Sequence, residues 1–157
     1  MKLKSVGVRL FKEGDARKVS YLISRCLNET LSREFTREQL KFFYGRFTPA
    51  GLRKIAREGT MFVAVSGDRV LGTASFDGDR VKAVFVNPSF HRQGIGRILM
   101  RHVEDEARRH KHVACTLHAN HQAAEFYEQV GCQRVNEIDD YGLNLVIMRK
   151  KLRNPRA

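Results

Sequence analysis

A strand-like run from Val6 to Phe11 opens the chain and is broken at Glu13-Gly14-Asp15. Val19, Leu22, Ile23 and Cys26 then fall on one apolar stripe, which predicts a helix. Thr36 followed by Gln39 is a capping-box pattern and predicts a second helix through Phe43. Thr48-Pro49 starts a short third helix with proline at its first position. Leu52, Ile55 and Ala56 are its buried face, and Gly59 ends it. The pattern next becomes a meander. Met61 to Val65, Val70 to Phe76 and Val81 to Val86 read as strands, separated by Ser66-Gly67-Asp68 and by the hairpin signal Asp77-Gly78-Asp79.

After Asn87-Pro88 helix and strand alternate. Ile95, Leu99, Val103 and Ala107 share one helical face, and Val113 to Leu117 is a short strand. Ala123, Phe126, Tyr127 and Val130 mark another helix, closed by Gly131. Val135 to Ile138 and Leu143 to Met148 are final strands around Asp139-Asp140-Tyr141-Gly142. Written compactly, the order is β-αα-βββ-α-β-α-ββ. It predicts an α/β fold with a mixed, largely antiparallel sheet flanked by helices.

A chain of 157 residues suits one core. The expected organisation is a single domain over residues 1–152 and a short tail over 153–157. No apolar run is long enough for a membrane span, and no signal core follows the basic N-terminus, so a cytoplasmic protein is expected. Cys26, Cys115 and Cys132 are odd in number and sit in apolar patterns, as reduced core cysteines do. The formal charge of +12 is the unusual bulk property. It favours polyanionic partners without choosing among them, and it disfavours strongly cationic substrates such as polyamines. No nucleic-acid motif is present and the aromatics are not interleaved with the basic runs, so nucleic acid is not the expected partner.

The segment richest in chemistry is His91-Arg92-Gln93-Gly94-Ile95-Gly96-Arg97, which follows a strand and opens a helix. Glycines let the backbone approach a ligand, and the first helical turn offers unpaired N–H groups and a dipole that favours an anion. Arg92 and Arg97 add charge, so the loop reads as a phosphate cradle. It is not a P-loop, because Gly96 is followed by Arg97-Ile98 rather than Lys-Ser/Thr. It is not a dinucleotide fingerprint, because Leu99 stands where the third glycine belongs. The bland alternative is a tight strand-to-helix turn.

The run Val86-Asn87-Pro88-Ser89-Phe90-His91-Arg92-Gln93-Gly94-Ile95-Gly96-Arg97 resembles the acyl-CoA motif of the GCN5-related N-acetyltransferases (GNAT). That motif is Gln/Arg-x-x-Gly-x-Gly/Ala after a strand ending in Val-x-Pro. Further on, Asn120 to Cys132 resembles the same family's second landmark, and Leu145 to Leu152 its closing strand. The resemblance covers almost the whole chain and implies acetyl-CoA as cosubstrate. It implies that amides of Arg92, Gln93, Gly94, Ile95, Gly96 and Arg97 hold the pyrophosphate. Backbone groups of Phe85 and Val86 would face the pantetheine arm and the thioester, and Asn120 would touch the cofactor on the far side. Tyr127 matches the tyrosine that protonates the departing thiolate, a role a phenol can fill beside a thiol of lower pKa. The other reading of Tyr127 is one half of an aromatic core pair with Phe126.

Two departures from the motif stand out. Its first Gln/Arg is His91 here, and the strand before the loop, Val81-Lys82-Ala83-Val84, lacks the catalytic carboxylate that members often carry there. Glu29, His118, Asp139 and Asp140 are candidates for the missing base. His110, His112, His118 and His121 lack the spacing of a zinc site, so no metal is expected. Phe42-Phe43-Tyr44-Gly45-Arg46-Phe47 is either helix-face core or the wall of an acceptor pocket. The expected function is transfer of an acetyl group from acetyl-CoA to a primary amine by direct attack in a ternary complex. The alternative is a non-catalytic acyl-CoA- or nucleic-acid-binding module on the same fold. The acceptor, small molecule or protein, is unnamed by the sequence, and the final strands leave room for pairing in a homodimer.

Overall fold

The computed structural model of the chain describes residues 5–140 and 142–153. Most of the expected tail, and the turn residue Tyr141, lie outside the described residues. The elements run β1 (Gly7–Leu10), α1 (Ala16–Cys26), α2 (Arg37–Arg46), α3 (Pro49–Glu58), β2 (Thr60–Ser66), β3 (Arg69–Asp77), β4 (Arg80–Val86), α4 (Ile95–Arg109), β5 (Ala114–Ala119), α5 (His121–Gln129), β6 (Gln133–Asp140) and β7 (Leu143–Lys151). Three helices stand between the first and second strands, where the residue patterns place them and the compact order wrote two. Local chemistry sets them apart. Thr36 and Gln39 exchange both capping-box bonds at the start of α2, and the Thr48 side chain caps α3 at Gly51.

The strands form one sheet in the order β1-β2-β3-β4-β5-β7-β6. All neighbours are antiparallel except β4 and β5. One face carries a core built from Leu71, Phe76, Leu99, Val103, Leu117 and Met148 under α4 and α5. The other carries a core of Val19, Ile23, Leu27, Phe47, Leu52 and Val63 under α1, α2 and α3. No helix among the described residues is long and apolar enough to cross a membrane.

Two irregularities in β4 open the sheet. Ser75 lies opposite Lys82 and Thr73 opposite Phe85, so β4 spends an extra residue between these pairs. Ala83 takes up that residue with φ of 53°, a left-handed value that alanine adopts only under tertiary constraint. Beside it, β4 meets β5 in register at Arg80 and Thr116, where the Thr116 N–H also donates to the Asp79 carbonyl at 2.9 Å. No further pairing of β4 with β5 forms among the described residues. The two strands fork, and the fork's mouth faces the loop that leads into α4.

Candidate active site

The loop after β4 is fixed from three directions. The Asn87 N–H donates to the Leu71 carbonyl of β3 at 2.8 Å. Arg25 of α1 donates from Nη1 to Asn87 Oδ1 at 3.1 Å and from Nη2 to Ser89 Oγ at 3.2 Å, while Nε and the same Nη2 hold Glu29. The Val86 carbonyl accepts from Cys26 Sγ at 3.2 Å and lies 3.0 Å from His91 Nε2. His91 thus turns back onto β4. The residue that departs from the family motif caps the strand's last carbonyl.

The loop then coils through left-handed conformations at Arg92 (φ 63°) and Gly94 (φ 79°) and enters α4. The Thr36, Thr48 and Asn120 side chains cap α2, α3 and α5, but Gly94 offers α4 no side-chain cap. The first-turn amides of α4 therefore face outward beside exposed Arg92 and Arg97, as an anion cradle requires. Gln93 is exposed with them, and Ile95 is buried as the helix's first core residue. Gly96 has a different reason to be glycine. A Cβ there would come within 2.9 Å of the Phe126 ring, so its bareness lets α5 close against α4.

Antiparallel pairing alternates the direction of backbone groups. With Asn87 bonded to Leu71, Phe85 turns its backbone to Thr73 and Val86 turns its N–H to the fork. Phe85 accordingly has another place from the one the sequence suggested. Its backbone belongs to the sheet, and its side chain meets Phe47 edge-on at 5.3 Å. Phe47 is itself 7% exposed, inside the core under α1 to α3. The aromatic run of α2 is a stacked ladder through Phe35, Phe43 and Phe47, not an open pocket.

Across the fork, Asn120 caps α5 by accepting from the Ala123 N–H at 2.8 Å, which leaves its side-chain amide to donate elsewhere. Tyr127 is 7% exposed and packs edge-on against Phe126, and its hydroxyl makes no hydrogen bond among the described residues. Burial, and secondarily the nearby Cys132, hold its phenol well above the usual range. It stays protonated at every physiological pH, so it can donate its proton or a hydrogen bond but cannot serve as a base.

The base candidates separate. Both Glu29 oxygens accept from Arg25. Asp139 accepts from the Gly142 N–H at 2.9 Å, a turn role. His118 Nδ1 lies 2.7 Å from Arg80 Nη2. A guanidinium only donates, so the single lone pair of a neutral His118 is taken. Burial, followed by the Arg80 charge, lowers the His118 pKa and keeps it neutral. Asp140 is half-buried on the same sheet face, close enough to act electrostatically on His118. Among the described residues no group of His, Cys, Asp and Glu side chains could hold a metal. Cys26, Cys115 and Cys132 are all buried and unpaired, and burial pushes their thiols up to about 12, 12 and 11. Sequence reasoning missed Arg25 and Arg80, whose partners lie across the fold and leave no local pattern.

Residues 31–152 match a family model described as the acetyltransferase (GNAT) domain. The structure resembles a GCN5-related N-acetyltransferase from Rhodopseudomonas palustris, with a TM-score of 0.84 at 20% identity over 97% of this chain and 99% of that one. It resembles the PaiA N-acetyltransferase of Thermoplasma acidophilum, solved with coenzyme A, with a TM-score of 0.79 at 17% identity over 94% and 99%. It also resembles YncA of Salmonella typhimurium, a putative acetyltransferase solved with acetyl-CoA, with a TM-score of 0.67 at 20% identity over 98% of each chain. A search of curated proteins found no match. With more than three quarters of its length matched by the family model, the chain belongs to the GNAT acetyltransferase family.

Proposed function

We propose that this protein transfers an acetyl group from acetyl-CoA to a primary amine, by direct attack within a ternary complex, in a single acyltransferase unit spanning residues 1–152. The observation that carries the reading is the uncapped N-terminus of α4 at Gly94, flanked by Arg92 and Arg97 at the mouth of the β4–β5 fork. These residues fit a pyrophosphate. The amides of Arg92 to Arg97 would hold it, the Val86 N–H would meet the pantetheine arm, and the Asn120 side-chain amide would close the far side.

The acceptor nitrogen attacks the thioester carbonyl carbon. A nitrogen–carbon bond forms as the carbon–sulfur bond breaks, and the sulfur leaves with the electron pair. Tyr127 gives that sulfur a proton or a full hydrogen bond. A free thiol is more acidic than a phenol, and burial raises both groups, so the proton stays nearer the phenol. Tyr127 therefore serves the leaving sulfur chiefly as a hydrogen-bond donor, and the thiolate takes its proton fully as it reaches solvent. The proton lost by the amine passes to water on the open face, where Asp140 is the nearby carboxylate. The family relationship and the coenzyme complexes of the two similar structures support the donor assignment.

The test is a thiol-release assay with acetyl-CoA and a panel of amines, in wild type and in Arg92→Gln/Arg97→Gln. Amine-dependent release, with a raised KM for acetyl-CoA in the variant, is expected. Binding of acetyl-CoA without release for any amine would instead indicate a non-catalytic acyl-CoA module.

A further inference from the structure

Five arginines hold a carboxylate among the described residues. Arg9 pairs with Asp15, Arg25 with Glu29, Arg108 with Asp105, Arg109 with Glu106 and Arg134 with Glu128. Arg80 is different. It is half-buried, its side chain's one hydrogen bond among the described residues is to the neutral ring of His118, and its Nε–H is buried with no partner. A buried N–H without an acceptor is costly, so the fold has left a guanidinium donor unmatched here.

Its position says what the anion belongs to. Val81 packs into the core under α4, so Arg80 points to the opposite face of the sheet, as His118 does between Leu117 and Ala119. On that face α1 and α3 pack against β2, β3 and β4. Thr116, His118, Leu145 and Ile147 remain half-exposed beyond them. The α2 side chain Gln39 reaches across to the Gly142 carbonyl at 3.2 Å and bounds this trough. Arg80 sits where β4 and β5 part, at the fork's closed end. The cradle at Gly94 lies past the other end of β4, about 20 Å away at strand rise. The anion that Arg80 lacks is therefore not a phosphate of the coenzyme. It belongs to whatever enters from the other face.

We infer that Arg80, braced by His118, binds a carboxylate of the acceptor, so that the acceptor is a small amino acid whose amine is acetylated. This rests on the proposed acetyl transfer and narrows its acceptor. The geometry agrees in kind. An arginine side chain at the closed end can hold a carboxylate while the amine a few atoms away reaches mid-strand, and Asp140 on the same face attracts the ammonium form before it loses its proton. The products are an N-acetyl amino acid and coenzyme A. A protein N-terminus is disfavoured, because its first residue has an amide where the free amino acid has a carboxylate.

The experiment compares matched acceptors: glycine, glycinamide and methylamine; phenylalanine, phenylalaninamide and phenethylamine; glutamate and its α-amide. Coenzyme A release is followed in wild type, Arg80→Gln and Arg80→Lys. In at least one set the acid should exceed its amide by about 10- to 100-fold in kcat/KM, the value of a charge-assisted hydrogen bond pair. Arg80→Gln should remove that preference through KM for the acid, and Arg80→Lys should keep part of it. Amides or amines that match the acids in wild type, or a preference that survives Arg80→Gln, overturns the inference. If no member turns over, the Arg80 Nε–H signal, identified by its loss in Arg80→Lys, is followed by NMR in the coenzyme A complex. It should shift with N-acetylglycine and not with N-acetylglycinamide, and no shift overturns the inference. Acetyl-CoA binding to wild type is measured alongside. Its absence marks failure of the donor site rather than of the acceptor assignment.

Discussion

Replacing Tyr127 by phenylalanine separates a buried core ring from a catalytic phenol. The hydroxyl has no hydrogen-bond partner among the described residues, and the ring is wedged against Phe126. Deleting it leaves no orphan behind, so stability at pH 7 should change by less than about 0.5 kcal/mol. At high pH the two proteins should diverge. The folded phenol's pKa lies above its ordinary value of 10.0. Below pH 10 both folded and unfolded wild type hold the proton. Above it the unfolded chain releases the proton and the folded chain does not, so wild-type stability falls as pH rises. The loss is about 1.4 kcal/mol for each pH unit and is missing from Tyr127→Phe. The buried cysteines titrate in the same sense in both proteins and cancel in the difference. Urea unfolding at pH 7 and at pH 11 measures this. The same variant should lose about 10²- to 10⁴-fold in kcat with the fastest amine of the panel, the usual contribution of a positioned acid. A kcat within threefold of wild type would refute the chemical role. Parallel stability curves would refute the burial argument beneath it.

Three further outcomes follow from the packing. Phe47→Ala should destabilise the protein by about 3–5 kcal/mol in urea unfolding, because Phe47 is core; a raised acceptor KM at unchanged stability would restore it to a pocket wall. Lys150→Met should cost about 3–5 kcal/mol by stranding Glu104, which is 5% exposed and ion-paired with Lys150, and adding Glu104→Gln should recover part of the loss in a double-mutant cycle. Gly94→Ala meets no neighbouring atom but must hold a left-handed φ, so it should cost about 1 kcal/mol of stability and weaken acetyl-CoA roughly tenfold by calorimetry; unchanged affinity would remove the loop from the phosphate site.

What the sequence shows well is what local chemistry decides. The Thr36–Gln39 box, the Thr48 cap and the left-handed Gly131 (φ 99°) lie where short-range rules put them. The glycine loop and Tyr127 were visible because each belongs to a contiguous motif. The bulge at Ala83 was not, since nothing in Lys82-Ala83-Val84 demands a left-handed alanine; the β3 register and the core beneath impose it. Gly96 reads as a ligand-facing glycine until the Phe126 ring is seen against it. Arg80–His118, Arg25–Asn87 and Glu104–Lys150 each join residues far apart in sequence, so no window along the chain contains them.

The most direct test of the account is isothermal titration of the protein with acetyl-CoA, at low and at moderate salt, beside dephospho-CoA. Saturable binding with Kd near the micromolar range, about −8 kcal/mol, and persisting at moderate salt, is the predicted result. Absence of binding at millimolar acetyl-CoA, or an affinity that vanishes with salt as non-specific polyanion binding does, would contradict it.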